Sequence, residues 1–312
     1  MTNDINSKQN QEQSIDMIAA FRQKYSEVKS LGLTQLFLSV WMPAILALIA
    51  ITLKSSSITE QLGFSAIDIS LYVSFYCVVI IFADLFLLTN LINEGKEIAA
   101  KIQERFDTYV LDLPWNKTLA GAKPDMEDIN FLRRKFFQSV GNRKNDLVNW
   151  YNPKVSKVSH EKGVLLCQRM NLYWDKSLRE SVNNRVKFVL IIWCLFILSI
   201  ALYQDLSVGS LFLTAIIPLL PVLVFAARLI KDNATSIVTL TRLKDLLEAA
   251  WDSAEKNDLT IEMLREVQNE IYQHRKTNRP VSDRFYWQRK DKHEESSQYS
   301  IEQMIADLGE SL

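Results

Sequence analysis

The residues best suited to chemistry lie mid-chain, where positions 167–179 read CQRMNLYWDKSLR. On a helix, Gln168, Asn171, Asp175 and Arg179 fall at i, i+3, i+7 and i+11 and make one polar stripe. Cys167, Met170 and Trp174 make an apolar stripe beside it. Asp175 and Arg179 are an acid-before-base pair at i, i+4, worth roughly 0.2–0.5 kcal/mol to a helix. Varied hydrogen-bonding groups beside an aromatic, a short run from an apolar segment, form a candidate sensor surface. The plainer reading is a polar face that is solvated or paired with a neighbouring helix.

The chemistry of such a surface is recognition. A phosphate-bearing nucleotide is held by arginines through charge-assisted bonds, and its bases stack on aromatic rings. The central region supplies Trp115, Asn116, Trp150, Tyr151, Gln168, Arg169, Asn171, Trp174, Asp175 and Arg179 as candidate ligand-binding residues. Each tryptophan taken singly fits a core or an interface equally well. A second basic and aromatic cluster, Arg284, Phe285, Tyr286 and Trp287 with Arg289, Lys290 and Lys292, suits lipid headgroups, a ligand or a simple tail.

Bond-making chemistry has little support. The three histidines have no metal-ligand spacing, and no nucleophile elbow, P-loop or kinase motif set occurs. Eight glycines supply no phosphate-cradling loop, and the three cysteines lack a CxxC partner, so neither a zinc cage nor a disulfide framework is expected. The expectation is a non-enzyme with no cofactor and no metal. A formal net charge of +0 argues against a nucleic-acid partner.

The elements that must position these residues alternate between apolar and charged blocks. Nearly uncharged runs match the ~20 residues that cross a bilayer. Residues 1–33 read as an N-terminal cytoplasmic amphipathic helix, with Ile15, Ile18, Phe21, Tyr25 and Val28 on one face. No secretory cleavage pattern precedes the first apolar run, so a retained span is expected. Residues 34–91 read as a first transmembrane hairpin, 92–187 as a central cytoplasmic helical sensor region, and 188–230 as a second hairpin. Residues 231–312 read as C-terminal cytoplasmic helices, of which the last starts at a capping box, Ser300 with Gln303. The four spans are expected at 34–53, 69–91, 188–203 and 211–227.

Lys and Arg crowd the flanks of the hairpins on one side, whereas the two connectors hold only Lys54. The positive-inside rule then puts both termini and the central region in the cytoplasm. Within the spans, Asp84 stands out, because a carboxylate there costs about 2.5–3.5 kcal/mol on insertion scales. Pro218 and Pro221 could hinge the last span, and Arg228 closes it. These four are the candidate pore and gating residues. The plainer readings are a wetted boundary carboxylate and ordinary span prolines.

Between the hairpins the elements FDTYVLDLPWN, NWYNP and CQRMNLYWDKSLR occur in order. On these elements and the two-hairpin plan, the chain resembles the four-transmembrane effector family associated with SMODS-type (CD-NTase) nucleotidyltransferases of bacterial CBASS antiphage systems. The motif positions are Leu113, Pro114, Trp115, Asn116, Trp150, Tyr151, Cys167, Gln168, Arg169, Asn171, Trp174, Asp175, Leu178 and Arg179. The resemblance assigns none of them to a ligand contact. It implies an effector in the bacterial inner membrane that binds a cyclic oligonucleotide, a cyclic di- or trinucleotide, made by a partner nucleotidyltransferase. It further implies permeabilisation of the membrane and abortive infection; since four helices alone rarely enclose a pore, a homo-oligomer in contact with lipid is expected.

The reading is therefore an all-α membrane protein of two transmembrane hairpins, four spans in all, plus a cytoplasmic helical domain. The function the resemblance implies is that of a nucleotide-gated, pore-forming antiphage effector. The rivals are a constitutive bestrophin-like ion channel and a non-conducting membrane scaffold.

Overall fold

A computed structural model describes residues 3–141, 144–170, 175–203, 207–278 and 303–305. In order, the helices are α1 (Ile5–Gln9), α2 (Glu12–Leu36), α3 (Met42–Lys54), α4 (Ser56–Gln61), α5 (Ser70–Ala83), α6 (Thr89–Val110), α7 (Lys117–Ala120), α8 (Met126–Val140), α9 (His160–Met170), α10 (Asp175–Tyr203), α11 (Val208–Leu211), α12 (Ile217–Glu255) and α13 (Ile261–Thr277). Three π-helical segments interrupt them, π1 (Phe37–Trp41), π2 (Asp84–Leu88) and π3 (Phe212–Ile216). Among the described residues the regular structure is helical throughout. The expected final helix after Ser300 falls largely outside those residues, as does the basic aromatic cluster at 284–292.

Two compact units emerge. The first comprises Met1–Lys29, Asn93–Leu178 and Thr235–Leu312. Its core follows helical periodicity. Ala99, Ile102, Phe106 and Val110 of α6 are buried, as are Leu264, Val267 and Ile271 of α13. Phe106 stacks on Tyr151 with ring centroids 6.1 Å apart, and Trp150 meets Phe21 edge-on at 5.2 Å. The N-terminal segment closes this core. The Gln9 amide accepts from the Tyr151 N–H at 2.7 Å and donates to the Tyr151 carbonyl at 3.1 Å. A glycine suits the close approach here: a Cβ on Gly163 would sit 2.6 Å from Asn3 Nδ2 and 3.0 Å from the Val155 carbonyl oxygen, so the Asn3 amide that donates to that carbonyl would have to shift.

The second unit comprises Ser30–Ile92 and Arg179–Ala234, and it keeps a small apolar core around Ala50, Val73 and Cys77 while its exterior is apolar too. Leu33, Phe37, Trp41, Ile45 and Ile49, spaced four apart, are exposed along one face, and Tyr72 and Phe75 reach 76% and 71% exposure. Ser39, Ser70, Ser74, Asp84 and Thr214 are buried instead. Soluble monomers rarely expose apolar patches beyond a few hundred Å². Two helical runs, Glu12–Lys54 and Ser70–Val110, are long and apolar enough to cross a bilayer. The pair Val208–Thr214 and Ile217–Glu255, bent by 49°, makes a third if it is one span. The chain is a membrane protein.

The π segments have an identifiable cause in two of the three cases. Pro43 and Pro218 each stand two residues beyond one, and a proline removes the N–H that the preceding turn needs while its ring crowds the carbonyl four residues back. Widening the turn relieves that crowding and leaves one carbonyl stranded. In π1 the Met42 N–H is taken by the Phe37 carbonyl, so the next donor for the Leu38 carbonyl would be Pro43, which has none. In π3 the Ile217 N–H goes to Phe212, and Leu213 faces Pro218 in the same way. Helix α5 supplies both missing donors. Tyr76 Oη donates to the Leu38 carbonyl and Ser74 Oγ to the Leu213 carbonyl, each at 2.9 Å. Helix α12 continues unbroken through Pro221, so the bend lies ahead of both prolines named as hinges, in the π segment.

Candidate functional site

In the first unit, α6 carries Glu104 and Asp107 three residues apart on its buried face, at 1% and 0% exposure. Helix α13 answers with Arg265, Gln268 and Arg275 on one stripe. Arg265 Nη2 donates to Glu104 at 2.6 Å, and Arg275 is ion-paired with Asp107. Gln268 Nε2 donates to Glu104 at 2.8 Å and to Asp107 at 3.0 Å, and Tyr151 Oη donates to Asp107 at 2.6 Å. Gln168 Nε2 adds bonds to the Leu264 carbonyl at 2.8 Å and to Gln268 at 3.3 Å.

Burial pushes the Glu104 carboxyl upward, against the pull of Arg265. Burial and then the Asp107 charge hold the Tyr151 hydroxyl well above its ordinary range, so it stays a donor. Burial works against the Arg275 guanidinium, but Asp107, Tyr151 and Tyr25 together more than offset it and keep it charged. Two carboxylates and two guanidiniums balance, and the cluster clamps α6, α9, α13 and the 151 loop in one register.

Beside this clamp, Leu113 to Asn116 lock a short loop. The Leu113 side chain is buried, the Pro114 carbonyl accepts from Arg265 Nη1 at 2.9 Å, and Asn116 Oδ1 caps α7 by accepting the Leu119 N–H at 3.1 Å. Asn116 Nδ2 also donates to Asn269 at 3.2 Å. Trp115 is thereby fixed, with its indole N–H on the Gly121 carbonyl at 2.9 Å and its ring against the Ala100, Ala120 and Tyr272 cluster. A cleft of about 490 Å³ opens here, floored by Met17 and Leu113 and framed by Arg105, Tyr109, Trp115 and Lys123. Lys123 Nζ lies 5.8 Å from the Trp115 ring centroid.

In the second unit, Asp84 is 2% exposed at the start of π2. It accepts from Gln35 Nε2 and, at 3.2 Å, from Arg228 Nη1. Arg228 Nη1 also donates to Thr89 Oγ1, which takes a second bond from Gln35 at 3.3 Å. The carboxylate is buried and paired, not wetted.

The chain matches the SMODS-associating 4TM effector domain family over residues 3–304. It belongs to that family. A probable CBASS effector molecule of Bacillus cereus (strain VD146) is 24% identical over 292 residues, covering 92% of this chain and 94% of that relative. No solved structure matches the chain. The family's own description ties this effector domain to SMODS proteins, in line with the resemblance read from the motifs.

Within this effector domain the sequence-nominated residues are dispersed. Trp115 lines the cleft and Asn116 is a helix cap behind it. Trp150 and Tyr151 belong to the aromatic core, and Gln168 to the buried clamp. Arg169 lies over Trp251, with Cζ 5.0 Å from the ring centroid. Asn171 and Trp174 lie outside the described residues, and Asp175 and Arg179 sit on α10 with their side chains outside the description. Asp84 and Arg228, nominated separately, are brought together, while Pro218 and Pro221 are buried in the first turns of α12. Glu104, Asp107, Arg265, Gln268 and Arg275 were not singled out. Their signal was present, as charged and amide positions at helical spacing beside the apolar stripes of α6 and α13.

Proposed function

We propose that this chain is a CBASS-type antiphage effector of the bacterial inner membrane, which binds a cyclic di- or trinucleotide from a partner nucleotidyltransferase and permeabilises the membrane, leading to abortive infection. Four spans, at 34–53, 69–91, 188–203 and 211–227, hold it there as a homo-oligomer with both termini in the cytoplasm. Neither catalysis nor a cofactor is needed. The observation that carries this reading is the contrast between the units. One has an apolar exterior suited to lipid and buries Asp84 and several hydroxyls among its apolar packing, and the other has a conventional core with a charged, aromatic cleft suited to a soluble signal.

Helices α2, α6 and α12 each carry residues of both units, so binding energy has a covalent route to the spans. Moving a closed-to-open ratio from 99:1 to 1:99 requires about 5.5 kcal/mol of differential binding. A few arginine–phosphate bonds and stacked bases that differ between two states can supply that. The buried Asp84–Arg228 pair and the proline-widened turns are where the second unit would yield.

The test is dye release from liposomes holding the purified chain, with cyclic di-AMP, cyclic di-GMP, cyclic GMP-AMP and cyclic triadenylate added singly. Release with one nucleotide and no other is the expected result. Leakage without nucleotide would replace this reading with a constitutive channel, and silence from correctly inserted protein would replace it with a scaffold.

A further inference from the structure

The geometry points to the cleft between Arg105 and Lys123 as the nucleotide site, with Trp115 as the stacking platform for a base and the two cations as phosphate contacts. This assignment rests on the nucleotide-effector reading above and adds to it a location and a set of roles.

A stacking face must be held still, because each degree of freedom frozen on binding weakens the complex. Trp115 meets that demand. Its N–H is tied to Gly121, one face packs on the Ala100 cluster, and the residues on either side of it are bonded to α13. The other partner at the ring is Lys123, an exposed side chain that can swing from the ring to a phosphate as a base takes its place. Arg105 is oriented by one bond, from Nη1 to the Pro124 carbonyl. Its remaining N–H groups have no protein partner among the described residues, which leaves the fork available for an anion. Tyr109 adds a second aromatic wall, with its hydroxyl on Gln11 and Lys8 Nζ 6.0 Å from its ring centroid. The one rim carboxylate, Asp112, is already paired with Lys8. A volume of about 490 Å³ lies in the range of pockets that take small molecules.

Another cleft of the first unit, about 460 Å³ beside Arg133, Arg134 and Lys144, is basic but lacks this combination. Arg133 is bonded to Asp16 and lies 5.7 Å over Phe137, and no tryptophan or tyrosine lines it. It offers charge without a prepared stacking face.

The experiment is equilibrium dialysis of the full-length chain in detergent against radiolabelled cyclic di-AMP, cyclic di-GMP, cyclic GMP-AMP and cyclic triadenylate, for wild type, Lys123→Glu, Trp115→Leu and Arg134→Glu. For the nucleotide that wild type binds, Trp115→Leu should weaken binding roughly tenfold to a hundredfold. Lys123→Glu should weaken it about tenfold or more, and Arg134→Glu less than about twofold. Lys123 is exposed, so its variant carries the test if Trp115→Leu fails to fold. Wild-type affinity in Lys123→Glu, with nucleotide binding intact, overturns the cleft and leaves the effector reading standing. No binding of any of the four by wild type overturns both.

Discussion

Tyr76→Phe removes a single hydroxyl, and its cost follows from what that hydroxyl serves. The Leu38 carbonyl has lost its helical donors, one to the Phe37 carbonyl and the other to the missing N–H of Pro43. Tyr76 Oη at 2.9 Å replaces them. In a lipid-facing unit no water stands by, so the variant strands a carbonyl, at about 1–3 kcal/mol. Ser74→Ala strands Leu213 by the same logic and should cost a similar amount. Thr52→Val is the control, because its hydroxyl donates at 2.8 Å to Leu48 within one helix, where the backbone already provides a donor. It should cost less than about 0.5 kcal/mol. Pro43→Ala restores the missing N–H, so in that background Tyr76→Phe should also cost less than about 0.5 kcal/mol. The assay is reversible unfolding in mixed micelles, read as a double-mutant cycle. Equal costs for Tyr76→Phe with and without Pro43, or a Thr52→Val cost as large as that of Tyr76→Phe, would refute the reasoning.

Three further outcomes follow from the buried ionisable groups. Arg228→Gln leaves the Asp84 carboxylate without its cation and should destabilise by roughly 3–5 kcal/mol, while adding Asp84→Leu should recover part of the loss; strictly additive costs in the same micelle assay would contradict the pairing. Asp107→Asn removes the anion shared by Arg275, Gln268 and Tyr151 and should cost about 3–5 kcal/mol, against about 1.5–3 for Tyr151→Phe; a wild-type melting curve for Asp107→Asn would show that the clamp contributes nothing. Burial raises the Cys167 thiol well above the usual thiol range, so at about pH 9 it should resist iodoacetamide when folded and react when unfolded, as read by mass spectrometry. Folding favours that protonated thiol, so its contribution is complete below the ordinary thiol pKa and is lost as pH climbs through the raised one; rapid alkylation of folded protein would contradict it.

Much of the helical plan was legible because it is local. The spacing of Ile129, Leu132, Phe136 and Phe137 by itself marks the 126–140 helix, and that of Leu264, Val267 and Ile271 marks α13. The amphipathic N-terminal segment and the first apolar run were read as separate pieces, yet Glu12–Lys54 is one helical run, since nothing in Ser30, Leu31 and Gly32 is strong enough to end it. The site was less legible. Trp115, Trp150 and Trp174 share a residue type, and type alone does not distinguish a cleft wall from a core ring. Trp150 went to the core because Phe21 and Phe106 complete an aromatic cluster around it.

What the sequence determined by itself is everything written in short-range periods: helices, their apolar faces, the apolar runs that suit lipid, and the ordered motifs that mark the family. What only the tertiary structure decided is who meets whom. Arg228 reaches Asp84 across 144 positions and Arg265 reaches Glu104 across 161, and neither separation leaves a periodic trace. The same holds for the hydroxyls of Tyr76 and Ser74, which answer prolines on other helices. A buried polar group must find a partner, but its own neighbourhood in the chain does not say which one. That choice is made when distant helices pack.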